Sequence, residues 1–236
     1  MHEIDINGIK ITKDFAVFIP NKKIAIVADL HIGYEGVLRR EGAMIPSYQK
    51  EILIERLERI ISRYKPKLLI VNGDFKHEFG KNLRQEWNEA GEILNFLSKK
   101  TKVLLIRGNH DNFLKTIASK YNVPVLEEFE INGIKIVHGH KEAKGKRIIM
   151  GHEHPSLHLR DKVGALVKLP CFMVSKKIIV IPALSPLATG TDISSATNED
   201  YLSPILQKEN IDEFEIYALA DEILYFSKVG NLKKVI

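Results

Sequence analysis

The sequence predicts an α/β fold: two packed, mixed β-sheets flanked by helices. Three observations predict it. The hexapeptide Ile-Asn-Gly-Ile-Lys-Ile occurs twice, at 6–11 and 131–136. Residues 24–120 alternate short apolar runs with amphipathic stretches, the signature of parallel strands covered by helices. From residue 125 onward, strand-like runs follow one another through turns. No Pro/Gly/Ser-rich linker interrupts the chain, so one domain over residues 1–236 is expected.

Each element has its own local reason. Both hexapeptides set Asn-Gly between alternating apolar residues, which favours a two-residue hairpin turn. The intervening chain carries no further copy, so this is not a repeat array. Ile24–Ala28 is wholly apolar and short, a buried strand. Residues 48–63 place Ile52, Leu53, Leu57, Ile60 and Ile61 at helical spacing, with Pro46 and a candidate N-cap at Ser47 before them and Pro66 just past the end. Leu68–Asn72 is the next buried strand, 83–99 a second amphipathic helix, 103–106 a third strand and 112–120 a short helix. In the second half, strands are expected within 125–137 and at 147–150, 164–168, 171–174 and 177–181, with a closing hairpin over 214–220 and 223–229. Residues 185–203 form a polar loop, long for a compact fold.

Composition narrows the function classes. The lone cysteine, Cys171, allows no intrachain disulfide, and the N-terminal residues lack a basic-then-apolar leader, so a reducing cytoplasm is expected. The apolar runs have strand length, well short of the ~20 residues that span a bilayer, so no membrane partner is expected. A net charge of +5 is compatible with an anionic partner, though a lysine-rich surface alone gives the same balance.

The chemistry lies at the strand ends. Asp29-Leu30-His31 follows the first buried strand, Gly73-Asp74 the second and Gly108-Asn109-His110-Asp111 the third. His138-Gly139-His140 follows the second Asn-Gly hairpin, and Gly151-His152-Glu153-His154 the next strand. Open α/β sheets build their sites just beyond the carboxyl ends of strands. A lone His or Asp there is commonly a turn or cap residue; five such clusters in succession are not. Carboxylate, imidazole and amide oxygen together suit divalent first-row ions, Mn, Fe, Zn or Ni.

This order of motifs resembles the calcineurin-like metallophosphoesterase superfamily. The stretches Leu30-His31-Ile32-Gly33-Tyr34-Glu35 and Gly73-Asp74-Phe75-Lys76-His77, with residues 152–161 and 169–190, look like its ICC-like phosphoesterase branch, whose relatives include ligase-associated DNA-repair endonucleases. The resemblance implies a metallophosphoesterase-type sandwich holding two divalent ions, manganese foremost. It implies Asp29, His31 and His154 on one ion, Asn109, His138 and His152 on the other, and Asp74 bridging. A metal-bridging hydroxide would attack phosphorus in line, with His110 as general acid. Asn109, His140 and Arg39 are candidate substrate contacts.

Several roles stay open at this level. Position 77 carries His77 where better-known relatives carry an aspartate paired with the acid, so Asp111 or Glu78 is expected to partner His110. Asp111 would otherwise cap the following helix. His140 either touches substrate or supports His138 from behind. Arg39 and Arg40 either reach a phosphate or form a solvated helical face. Arg107 is expected in a structural ion pair. Lys141, Lys144, Lys146 and Arg147 form either a basic rim to the cleft or a solvated hairpin loop. The leading function is a phosphodiesterase or nuclease on nucleic acid or a cyclic nucleotide. The alternatives are a phosphomonoesterase and, after it, a non-catalytic scaffold. A homo-oligomer and a DNA-repair protein partner are further expectations of the resemblance.

Overall fold

The computed structural model describes residues 1–78, 84–160 and 163–233. In the first sheet, β1 (Glu3–Ile6), β2 (Ile9–Thr12), β3 (Val17–Ile19), β4 (Ile24–Ala28), β5 (Leu68–Asn72), β6 (Lys102–Ile106) and β7 (Val125–Leu126) lie side by side in chain order. Pairing is antiparallel up to β4 and parallel from β4 to β7. Helices α1 (Tyr34–Arg40), α2 (Gln49–Tyr64), α3 (Arg84–Lys100) and α4 (Leu114–Ser119) occupy the parallel crossovers. The second sheet contains β8 (Glu128–Ile131), β9 (Ile134–Val137), β10 (Arg147–Met150), β11 (Ser156–Arg160), β12 (Leu166–Val174), β13 (Ile178–Val180), β14 (Glu215–Leu219) and β15 (Ile223–Lys228). Its order is β15-β14-β12-β13-β10-β9-β8, with β11 paired to β12, and α5 (Val229–Leu232) follows. Both sheets are mixed, as expected.

Alternation explains the apolar strands. On β4, Ile24, Ile26 and Ala28 face the second sheet, where they meet Ile136, Ile149, Phe172 and Ile179. Ala25 and Val27 face the opposite way, onto Leu53, Leu57, Ile93 and Leu97 of α2 and α3. A strand buried on both faces has no position left for a polar side chain. Both Asn-Gly turns form as expected, Asn7 and Gly8 at φ 55° and 82° and Asn132 and Gly133 at 51° and 75°. This is the left-handed pair that a type I′ turn requires.

The differences from the sequence expectation have identifiable causes. Ser47 does not cap α2. The Glu35 carboxylate does, accepting the N–H groups of Tyr48 and Gln49 at 3.0 Å each, while Ser47 Oγ is held by Arg39. Residues 164–168 and 171–174 are not separate strands. β12 runs from Leu166 through Pro170 to Val174, changing partner from β11 to β14 at the proline. β3, β11 and α1 are additional to the expected elements. Leu83, expected to open the second amphipathic helix, and Asp161 lie outside the described residues.

The polar loop over 185–203 begins a cover. Among the described residues, the outer face of the second sheet has no α-helical layer comparable to α2 and α3; Ile193, Ala196, Tyr201, Ile205, Leu206, Ile211 and Phe214 pack onto it instead. Buried Glu153 fastens this cover. Its carboxylate accepts Thr191 Oγ1 (2.5 Å), the Leu202 N–H (3.2 Å) and the Ser203 N–H (3.0 Å). Glu153→Ala would strand the buried Ser203 N–H and two part-buried donors, a destabilisation of about 3 kcal/mol. Urea denaturation should show this loss, and an unchanged midpoint would contradict the role.

Candidate metal centre

All five motif clusters meet at one edge of the sandwich, where the carboxyl ends of β4, β5, β6, β9 and β10 converge. Backbone hydrogen bonds lace the loops together. The His31 N–H donates to the Asp74 carbonyl (2.9 Å), Gly73 to Ile106 (2.9 Å), Gly151 to His138 (3.0 Å) and Ser185 to Asp29 (3.1 Å). Asn72 Nδ2 reaches across to the Val137 carbonyl (2.8 Å), joining the two sheets beneath the site. Asp29, His31, Asp74, His152 and His154 all adopt left-handed backbone, with φ of 56°, 47°, 36°, 69° and 48°. Such conformations cost of order 1–3 kcal/mol each in a non-glycine residue, and they persist where surrounding structure enforces them. A Cβ on Gly73 would enter the His138 ring, and one on Gly108 would enter Asp74. The motif glycines are therefore close-approach positions.

The side chains form two adjoining groups. Ligand atoms of Asp29, His31 and His154 lie within 4.8 Å of one another, as do those of Asp74, His138 and His152. His31 Nε2 faces His154 Nε2 at 3.2 Å, and His138 Nε2 faces His152 Nδ1 at 3.1 Å and Asn109 Oδ1 at 2.9 Å. Asp74 lies between the groups, its Oδ2 3.9 Å from His31 Nε2, 3.4 Å from His138 Nε2 and 4.0 Å from His110 Nε2. Each aspartate is anchored through one oxygen: Asp74 Oδ1 accepts the His110 N–H and Asp29 Oδ2 the His152 N–H, both at 2.9 Å. Asp29 Oδ1 is buried and faces His138 Nδ1 at 3.4 Å, while Oδ2 lies 3.4 Å from His154 Nε2. Buried imidazole nitrogens facing each other, beside carboxylate oxygens left for a cation, fit divalent ions.

Electrostatics match that fit. Burial holds His152 down to about 3, reinforced by the charge on His138. Burial, again followed by His138, lowers His140 to about 4. His138 differs: burial opposes its charge, yet hydrogen bonding to Asp74 and the charges of Asp74 and Asp29 raise it to about 9. Without a metal, a proton on His138 supplies the positive charge the two aspartates demand.

The remaining candidates separate by position. His110 Nδ1 donates to the His77 carbonyl at 2.5 Å, leaving Nε2 toward Asp74. The two carboxylates expected to partner His110 differ in their contacts. Asp111 is buried and accepts the backbone N–H groups of Gly108 (2.8 Å) and Lys76 (3.2 Å), while Glu78 pairs with Arg40 at 2.9 Å. Burial and the neighbouring Asp74 charge raise Asp111 to about 7. It does not cap the short helix through its side chain either, since the N-cap is Phe113. His140 stands with its ring 5.1 Å from His138 and 6.1 Å from His152. Arg107 pairs with Glu127 at 3.5 Å, as expected. Arg39 is held by Ser47 and faces Glu35 at 3.8 Å. It lines a cleft of about 350 Å³ with Gly33, Gly36, Arg40, Arg84, Gln85 and Glu86. The expected basic rim is divided: Lys146 and Arg147 line a cleft with the two Asn-Gly turns, at the amino end of β10 and away from the histidines.

A family model, the calcineurin-like phosphoesterases, matches residues 22–213. The chain belongs to this family. It is accordingly a metal-dependent phosphoesterase, of a family that typically binds two metals. A crystal structure of the nuclease MPE from Pseudomonas putida shares the fold with a TM-score of 0.72, over 95% of this chain and 99% of that chain, at 22% identity. Yfce, a phosphoesterase from E. coli, aligns over 87% of this chain and 98% of that chain with a TM-score of 0.42 and 14% identity. No curated protein matches the chain. Among the described residues no helix is long and apolar enough to cross a membrane.

With His138 as a ligand, its raised pKa would make metal loading pH-dependent: an ion would bind the neutral imidazole, so below about 9 it would displace a proton. Apparent affinity should rise about tenfold per pH unit from pH 7 and level off above about 9. Isothermal titration in buffers of different ionisation enthalpy should record about one proton released per protein at pH 7, and no net release would contradict the assignment.

Proposed function

We propose that the chain is a dinuclear-metal phosphodiesterase or nuclease acting on nucleic acid or a cyclic nucleotide. The observation that carries the two-ion reading is Asp74 Oδ2, which faces both histidine groups at once. On this reading Asp29, His31 and His154 hold one ion, and Asn109, His138 and His152 the other. Asp74 serves both. The donor set is mixed nitrogen and oxygen, which accommodates Mn, Fe, Zn or Ni, with Mn the ion that the family resemblance puts first. When bound, the ions supply positive charge for the phosphoryl oxygens and an acidified water as nucleophile.

The protein's own groups do the rest. His110 presents Nε2 while the His77 carbonyl fixes the proton on Nδ1. An imidazolium oriented this way delivers its Nε2 proton to the leaving oxygen. The carbonyl accepts that hydrogen bond without cancelling the charge. His140 and Asn109 flank the second group, where a phosphate oxygen would lie, and are proposed substrate contacts.

The preference for a diester rests on the arginine-lined cleft. Gly33, two residues from His31, lines it together with Arg39, Arg40, Arg84 and Glu86, Arg39 facing Glu35 and Arg40 paired with Glu78. A monoester has no further phosphate to place there, whereas a nucleic-acid strand does. The net charge of +5 points the same way. The fold is shared with a nuclease, at an identity that speaks for fold alone.

With Mn²⁺, bis-p-nitrophenyl phosphate should be hydrolysed faster than p-nitrophenyl phosphate. A monoester advantage of orders of magnitude would overturn the diesterase reading. Asp74→Ala should abolish both activities. His110→Ala should cost about 10²–10⁴-fold on a dinucleotide and much less on the nitrophenyl ester, whose leaving group needs no proton. Equal losses on the two substrates would contradict the proton-donor role.

A further inference from the structure

We propose that His77 positions a metal ligand: its side chain accepts the Nδ1 proton of His31 and so commits the Nε2 lone pair of His31 to the ion. The inference rests on the two-ion reading above. The two rings meet at an Nδ1···Nδ1 distance of 3.2 Å. The other nitrogen of His31 faces His154 Nε2 at 3.2 Å and Asp74 Oδ2 at 3.9 Å, inside the ligand group. A neutral imidazole that offers one nitrogen to a cation carries its proton on the other, and that proton needs an acceptor. His31 is 4% exposed, so water does not reach it readily. Among the described residues, the Nδ1 of His77 is the hydrogen-bond partner that Nδ1 of His31 has.

His77 is held for this task. Its ring stacks on Tyr34 with centroids 3.8 Å apart and planes inclined by 15°. Its N–H is fixed by the Ile32 carbonyl (3.0 Å) and by Glu86 Oε1 (2.9 Å). One residue thus serves two histidines: the side chain orients His31, and the carbonyl orients His110. Ligand atoms of His31, His77 and His110 also lie within 4.8 Å of one another. A separate ion there would require His31 to serve two cations through both nitrogens, as an imidazolate. His110 has also already turned Nδ1 to a carbonyl. The positioning role needs neither adjustment.

The test is calorimetric titration of Mn²⁺ into chelator-stripped protein, wild type against two variants. His77→Phe keeps a ring against Tyr34 and removes the acceptor; His77→Asn places an amide oxygen near the position of Nδ1. In His77→Phe one of the two binding events should weaken about 10- to 100-fold while the other holds, and His77→Asn should recover most of the loss. With Zn²⁺ bound, long-range ¹⁵N–¹H NMR should find a protected His31 Nδ1–H in wild type and His77→Asn, and lose it in His77→Phe. Unchanged affinities in His77→Phe, or equal losses in both variants, would overturn the inference. A third equivalent of metal that disappears with His77→Phe would also overturn it. Wild-type protein that binds fewer than two ions would instead overturn the two-ion reading itself.

Discussion

Two groups of buried and half-buried imidazoles face one carboxylate, Asp74, and much of the surrounding structure exists to keep them there. The five motif-bearing loops come from both sheets, and three of them reach the centre through backbone that is not extended. Asp29, His31, Asp74, His152 and His154 accept left-handed conformations instead. The adjoining glycines leave room for side chains to meet without an intervening Cβ. The Asn72 bond to the Val137 carbonyl and the anchored oxygens of Asp29 and Asp74 then hold the two sheets in register at this edge. Strain, close approach and buried charge are concentrated in one place, and the apolar layers on either side of the first sheet supply the stability that tolerates them.

Much of this organisation is legible in the residues themselves. A run such as Ile24–Ala28 has no polar position because both of its faces are covered, and Asn-Gly fixes a hairpin through backbone geometry alone. The ligand clusters are legible because each sits directly after a strand. What escapes is whatever depends on a distant partner. Ser47 looks like a cap by spacing, but Glu35 from the preceding helix fills that role. Residues 185–203 read as a polar loop because their apolar side chains follow no regular period, yet Ile193 and Ala196 join Tyr201 in covering a sheet. Pro170 reads as a break, and it is tolerated because β12 changes partners there.

The site shows the same division. The expected partner of His110 was a side-chain carboxylate, because sequence spacing reports side chains only. His110 Nδ1 meets the carbonyl of His77, a contact that spacing does not report, and Asp111 accepts two backbone N–H groups. Lys146 and Arg147 follow a metal motif closely in sequence, but the length of β10 carries Arg147 to the opposite end from His152. Seven of the nine histidines gather at the centre, with four assigned as ligands, one as proton donor, one as a substrate contact and one as the positioning partner of a ligand.

The central claim is that Asp74 is shared by two ions. Anomalous diffraction from crystals grown with Mn²⁺ tests it most directly. The account predicts two peaks roughly 3.5–4 Å apart, one among Asp29, His31 and His154, the other among Asn109, His138 and His152, with an oxygen of Asp74 on the line between them. A single peak, or two peaks of which only one touches Asp74, would contradict it.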